Sequence, residues 1–315
     1  MKSVLLLLVI ILQINVSAQE QQKVFTSDID NFWIAYDSIQ KVNSQEQKIH
    51  LINKLYIDKG TKGLKAFMKA RKYNDSLWVR LINRLPKFWN SVRSNTLKVK
   101  FKANDMEKAV MVFKQLYPEL KDAKMYFTIG GLRSGGTTWG NMVLVGTEIA
   151  AADSFVDVSE FKNKWLPSVF KKQNIDHVLF LNIHEYVHTQ QKRGSKNVLA
   201  ASIREGACDF IAELVTKQSL KSQYLFYGNA HEKEVKELFK KEMLTKQYSN
   251  WLSNGGKMGE KADLGYYIGY KICKSYYEIS KNKSKAIKDI MELDYSNNKE
   301  VLTFLKKAKY ISLKK

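Results

Sequence analysis

The chain has 315 residues, 44% of them hydrophobic and 12% aromatic, which is enough apolar material for a large core and excludes an intrinsically disordered chain. Its formal net charge is +21, but most of that charge is lysine spread over nearly every segment, and only seven residues are arginine. That pattern argues against a nucleic-acid-binding surface and leaves, at most, contact with an anionic envelope surface.

At the N-terminus, MKSVLLLLVIILQINVSAQE carries one basic residue, Lys2, an apolar run from Val4 to Leu12, and the small residues Val16 and Ala18 ahead of Gln19. This layout predicts a cleavable signal peptide over residues 1–18, cut after Ala18, and hence a secreted or periplasmic protein. A membrane anchor needs about 20 consecutive apolar residues. Here the run breaks at Gln13 and Asn15, so no integral span is expected after cleavage, and no cysteine follows to carry a lipid.

Residues 19–95 read as a helical region, because DIDNFWIAYDSIQKV, EQKIHLINKLYIDKG and DSLWVRLINRLPKFWNSV each place apolar residues at steps of three and four. Within 96–315 the pattern shifts first to LKVKF, MYFTIG and NMVLVGTEIA, predicted strands of one sheet, with a helix near Met106 to Leu116 and a glycine-rich turn between them. Helices return beyond Ile175 in HVLFLNIHEYVHTQQKR, NVLAASIREGACDFIAELVTKQ, EKEVKELFKKEML and DLGYYIGYKICKSYYEI. The expected class is α+β, mostly helical with one small mixed sheet, in one compact body. Cys208 and Cys273 could pair in an oxidising compartment or remain separate buried thiols.

The stretch 181-LNIHEYVHTQ-190 carries the chemistry. His184 and His188 stand four apart, so both imidazoles project from one helix face and can meet one ion. Zinc accepts such a pair with a third protein ligand and keeps a fourth position for water. Glu185, beside the first histidine, is placed as general base. The segment 203-IREGACDFIAEL-214 offers Glu205 as the third ligand. Gly194 can end the first helix and a second can start around Asn197, so that the two pack antiparallel. Asp209, one turn beyond Glu205, would hydrogen-bond the far nitrogen of a ligand histidine. Small and apolar neighbours surround both acids, and acids in such a setting need partners. One zinc ion per chain follows.

The glycine-rich segment 129-IGGLRSGGTTWGNMVLVG-146 is not a phosphate loop: Thr137 and Thr138 follow Gly136 where a lysine is required, and the chain then enters a strand.

With HEYVH on one helix and EGACD on the next, the chain resembles the gluzincin metallopeptidases. More narrowly it is similar to a predicted zinc-dependent protease family of secreted bacterial proteins, related to gliding-motility lipoprotein GldB-like sequences. The narrower resemblance runs through DIDNFWIAYD, YIDKGTKGLKAF, IGGLRSGGTTWGN, the HEYVH helix, SIREGACDFIAEL and GYYIGYKICKSYYE. It implies a zincin-like fold with an active-site helix pair, and a peptidase acting on a peptide or protein substrate. It also implies that an edge strand beside the cleft pairs with substrate, for which WGNMVLVG, with Gly140, Asn141 and Met142, is the candidate; a purely structural hairpin is the alternative. Tyr266, three residues before Gly269, corresponds to the gluzincin oxyanion donor, although a core aromatic explains it equally well. The rival functional reading is a catalytically retired zincin-fold envelope binding protein, against which the retained Glu185 argues.

Overall fold

The computed structural model describes residues 22–171 and 173–312, so the signal-peptide reading lies outside the described residues. The chain is mostly helical with one small mixed four-stranded sheet, the α+β class expected. Helices α1 (Ser27–Ile39), α2 (Gln45–Ile52), α3 (Lys62–Arg71), α4 (Asp75–Arg84) and α5 (Pro86–Lys98) form the N-terminal region. Local chemistry sets their ends. Thr61 and Asn74 cap α3 and α4 by accepting the Leu64 and Leu77 N–H groups, and Pro86 ends the apolar pattern of α4 and opens α5 at its first turn.

The sheet comprises β1 (Val24–Phe25), β2 (Lys124–Thr128), β3 (Gly136–Trp139) and β4 (Met142–Gly146), in the order β1-β2-β4-β3. The first three in that order are parallel, and β3 runs antiparallel to β4 with Gly136 opposite Val145 and Trp139 opposite Met142. The N-terminal helices are not an appendage to it. The Tyr56 hydroxyl donates to the Ile129 carbonyl at 2.5 Å, and the Trp78 indole N–H donates to the Gly130 carbonyl at 2.9 Å. Two buried aromatics thereby fix the chain as it leaves β2, and one apolar core runs through both regions.

The strand expected at LKVKF is absent. Helix α5 runs on to Lys98, a 3-10 turn covers Val99–Lys102, and α6 (Ala103–Leu116) follows. A strand would put Val99 and Phe101 on one face. Val99 is instead buried as the next step of the α5 stripe of Phe88, Trp89, Val92 and Thr96, while Phe101 is 84% exposed. Two strands went unforeseen, β1 because it has two residues, and β3 because its GTTW sequence lacks apolar alternation.

The short α7 (Thr147–Ala150) and α8 (Trp165–Phe170) lead to α9 (Val178–Gln190) and α10 (Val198–Thr216). Asn197 caps α10 by accepting the Ala200 N–H, and Gly194 takes the left-handed φ of +95° in the connection, close to the expected break. The remaining helices are α11 (Gln223–Ala230), α12 (Glu232–Glu242), α13 (Gly255–Met258), α14 (Leu264–Ile279), α15 (Lys283–Met291) and α16 (Asn298–Ala308). Helices α10 and α14 cross backbone to backbone: a β-carbon on Gly206 would lie 1.9 Å from the Tyr270 nitrogen, and one on Gly269 would lie 1.7 Å from the Ser202 carbonyl oxygen. Only glycine permits this approach, which outweighs its cost of about 1 kcal/mol in a helix. Cys208 and Cys273 are both buried, unpaired thiols. Among the described residues no helix is long and apolar enough to cross a membrane.

Candidate metal centre

Helix α9 presents His184 and His188 on one face, their ring centroids 4.9 Å apart. Helix α10 lies against that face and delivers Glu205. Its Oε2 stands 3.1 Å from His188 Nε2 and 3.7 Å from His184 Nε2. Both rings are held from behind: His184 Nδ1 contacts Asp209 Oδ1 at 2.8 Å and His188 Nδ1 contacts Gln191 Oε1 at 2.8 Å. One carboxylate oxygen thus lies within 3.7 Å of both Nε2 atoms. Zinc ligands at about 2.0–2.1 Å in a tetrahedron stand about 3.3–3.5 Å from one another, and the two measured separations bracket that range. The donor set fits a zinc ion.

Charge is concentrated here. Burial opposes protonation of His184, but Asp209, Glu205 and Glu185 outweigh it and push its pKa up to about 10. Burial alone would raise the pKa of Glu205, yet its hydrogen bonds to the two imidazoles hold it far below the ordinary carboxylate value. In the metal-free chain a proton therefore stands where a cation would bind, so metal binding must displace it. The other carboxylate oxygen of Glu205 takes the Arg204 guanidinium at 3.2 Å, leaving Oε2 for the histidines.

Among the described residues the triad whose ligand atoms all lie within 4.8 Å of one another is His184, His188 and the Cys208 sulfur. Glu205 is the better third ligand. The sulfur is 3.3 Å from His188 Nδ1 and 3.7 Å from Nε2, nearly equidistant from both ring nitrogens, so it lies over the face of the imidazole and off the in-plane direction of either nitrogen's lone pair. Burial, with the negative charge of Glu205, also drives the thiol pKa upward and disfavours the thiolate that a metal requires.

Glu185 leaves the same helix turn toward the sheet. A β-carbon on Gly136 would be 3.5 Å from its Cγ and 3.6 Å from its Oε1, so β3 passes directly over it. Its carboxylate makes no hydrogen bond among the described residues, as suits a base that must remain available. Tyr266, on α14, is brought in by the glycine crossing: its ring lies 6.5 Å from that of His184, nearly parallel. Burial and the charge of Glu205 hold its phenol pKa well above the ordinary value, so the hydroxyl remains a donor. Tyr267, its neighbour, is instead fully buried.

The expected substrate strand needs correction. Gly140 and Asn141 form the two-residue turn of the β3–β4 hairpin, Gly140 with φ +60°, and Met142 begins β4, which is interior to the sheet. The free edge beside α9 is β3. The Gly146 N–H donates to the Gly135 carbonyl, and the alternation of an antiparallel ladder then turns the N–H and C=O groups of Gly136 and Thr138 outward. The Gly136 carbonyl accepts from the Ser134 hydroxyl.

Several residues here carried no sequence signal. Tyr224, on α11, donates to Asp209 Oδ2 at 2.8 Å and packs 5.5 Å from Tyr266. Asp209 thus spends one oxygen on His184 and the other on Tyr224. Gln191 and Arg204 flank sequence-visible residues, yet a glutamine past a helix end and an arginine before a glutamate are ordinary surface patterns. Comparison with protein-family models, curated proteins and solved structures returned no match.

Proposed function

We propose that the chain is a secreted zinc-dependent peptidase with a zincin-like catalytic region, binding one zinc ion through His184, His188 and Glu205. The observation that carries this reading is that one Glu205 carboxylate oxygen lies 3.1 and 3.7 Å from the two imidazole Nε2 atoms, with both Nδ1 atoms engaged on the far side. Zinc held there supplies Lewis acidity, polarising a carbonyl and making water acidic at neutral pH. Glu185 accepts the proton of the attacking water and returns it to the leaving amine. The Tyr266 phenol donates to the oxygen on which negative charge develops. The outward N–H groups of Gly136 and Thr138 and the Thr138 carbonyl bind an extended peptide as an added strand, beside the carboxylate that does the proton transfer. The unpartnered state of Glu185 favours catalysis over a retired binding role, since a base kept free of hydrogen bonds beside a metal site has no structural use.

The test is metal analysis of the protein purified with adequate zinc, together with cleavage of a peptide library. One zinc per chain is expected, with Glu185→Gln keeping the metal and losing at least about 100-fold in hydrolysis. A Glu185→Gln protein that cleaves as fast as wild type removes the mechanism.

A further inference from the structure

His188 sits between two possible third ligands, and something must decide which of them its metal shares. The Glu205 carboxylate lies 3.1 Å from its Nε2, and the Cys208 sulfur lies over the ring, 3.3 Å from Nδ1 and 3.7 Å from Nε2. Gln191, the first residue after α9 and 7% exposed, touches both His188 and Cys208.

The orientation of the Gln191 amide follows from its partners. One end lies 2.8 Å from the Arg204 backbone carbonyl, which can only accept, so that end is the NH2 group. The same nitrogen lies 3.2 Å from the Tyr295 hydroxyl, which itself donates to the Ile290 carbonyl and so receives the second amide hydrogen. Both donors are then used, and Oε1 must be the atom 2.8 Å from His188 Nδ1. An amide oxygen only accepts, so Nδ1 carries a hydrogen, and Nε2, which faces Glu205, is the nitrogen left to bind a metal once the proton it shares with Glu205 is displaced. The Cys208 sulfur also lies 3.5 Å from that Oε1 and 3.4 Å from the Arg204 carbonyl, two acceptors that hold it as a thiol.

We propose that Gln191 is a positioning residue that, by fixing the Nδ1–H form of His188 and giving the Cys208 thiol an acceptor, makes the centre a two-histidine, one-carboxylate site and keeps Cys208 out. Its anchor is the Tyr295 hydroxyl, between α15 and α16, so the C-terminal helices control the metal centre from behind. The proposal rests on the metal-centre reading above and goes beyond it in naming what selects the donor set.

The experiment measures metal affinity by chelator competition, the cobalt(II) spectrum and the melting temperature of the metal-free protein, for wild type, Gln191→Leu and Gln191→Glu. Wild-type cobalt protein should lack thiolate-to-cobalt charge-transfer absorption. Gln191→Leu keeps apolar volume but no acceptor, and should lose about 10–100-fold in metal affinity. Gln191→Glu buries a carboxylate against the Arg204 carbonyl and should melt lower than Gln191→Leu, yet it restores the acceptor and should bind metal far more tightly than Gln191→Leu. A packing role predicts that affinity follows stability, the reverse order. Thiolate absorption in the wild type, wild-type affinity in Gln191→Leu, or equal losses in both variants would overturn the proposal. A wild-type protein that takes up no metal removes the metal-centre reading and this proposal with it, whereas metal binding with an unaffected Gln191→Leu removes this proposal alone.

Discussion

Glu148 lies beneath the loop that joins β2 to β3, and Glu205 lies between two imidazoles; both carboxylates are taken out of water, and their surroundings drive them in opposite directions. Glu148 accepts the Gly130 and Leu132 N–H groups, one on each oxygen, at 2.7 and 3.0 Å. Burial still dominates and pushes its pKa up to about 7. Glu205 is less completely buried, its side chain 17% exposed, and two imidazoles and a guanidinium hold it ionised. Backbone dipoles can orient a buried carboxylate, but positive charge is what keeps it an anion. The first arrangement shapes a loop, and the second prepares a ligand for a cation.

Removing the acid from the second arrangement should give the largest effect. Glu205→Ala should lose most of its bound zinc, with an affinity loss exceeding 100-fold, because a direct ligand goes and the two imidazoles lose their shared partner. Zinc titration against a chelator measures it, and near-normal binding would make Glu205 no different in kind from Glu148.

The first arrangement is tested by pH. The folded-state pKa of Glu148 is raised to about 7 from an ordinary 4.5, so between these values the folded chain holds a proton that the unfolded chain has released. The contribution of this group is therefore fully present below 4.5 and is lost as pH rises through about 7. Glutamine stands in for the protonated acid and does not titrate. The stability of Glu148→Gln relative to wild type, followed by denaturant melts, should climb across that window by up to about 3 kcal/mol and then level off, whatever constant offset the amide introduces. A difference that stays flat would mean that the two N–H donors keep Glu148 ionised.

Asp209→Asn gives the smallest of the three. The asparagine oxygen can still accept from His184 Nδ1, while its NH2 group faces the Tyr224 hydroxyl, so zinc affinity should fall by only about 10–100-fold. If Asp209→Asn lost all metal while Glu205→Ala bound normally, the two acids of α10 would exchange roles and the metal reading of Glu205 would fail.

Sequence periodicity made His184, His188, Glu205 and Asp209 legible because residues one helical turn apart share a face however the rest of the chain folds. The break between α9 and α10 was legible for a similar reason: a glycine with left-handed φ and an asparagine cap act within a few residues. LKVKF misled because alternation over five residues fits a strand as well as the end of a helix, and the stripe already running along α5 decided between them.

The sequence by itself determined the α+β class, the two helices of the candidate centre and the four side chains that converge on it from them. Tertiary structure alone decided the rest. It made β3, and not β4, the free edge over Glu185, because edge position depends on which strands pair and not on the composition of either. It brought Tyr266 to His184 through the Gly206–Gly269 crossing, a contact between residues more than 60 positions apart in sequence. It also set Gln191 between His188 and Tyr295, and Tyr224 behind Asp209. Such partners are fixed by where buried polar groups find acceptors once the helices have packed, and no local pattern in the chain encodes that choice.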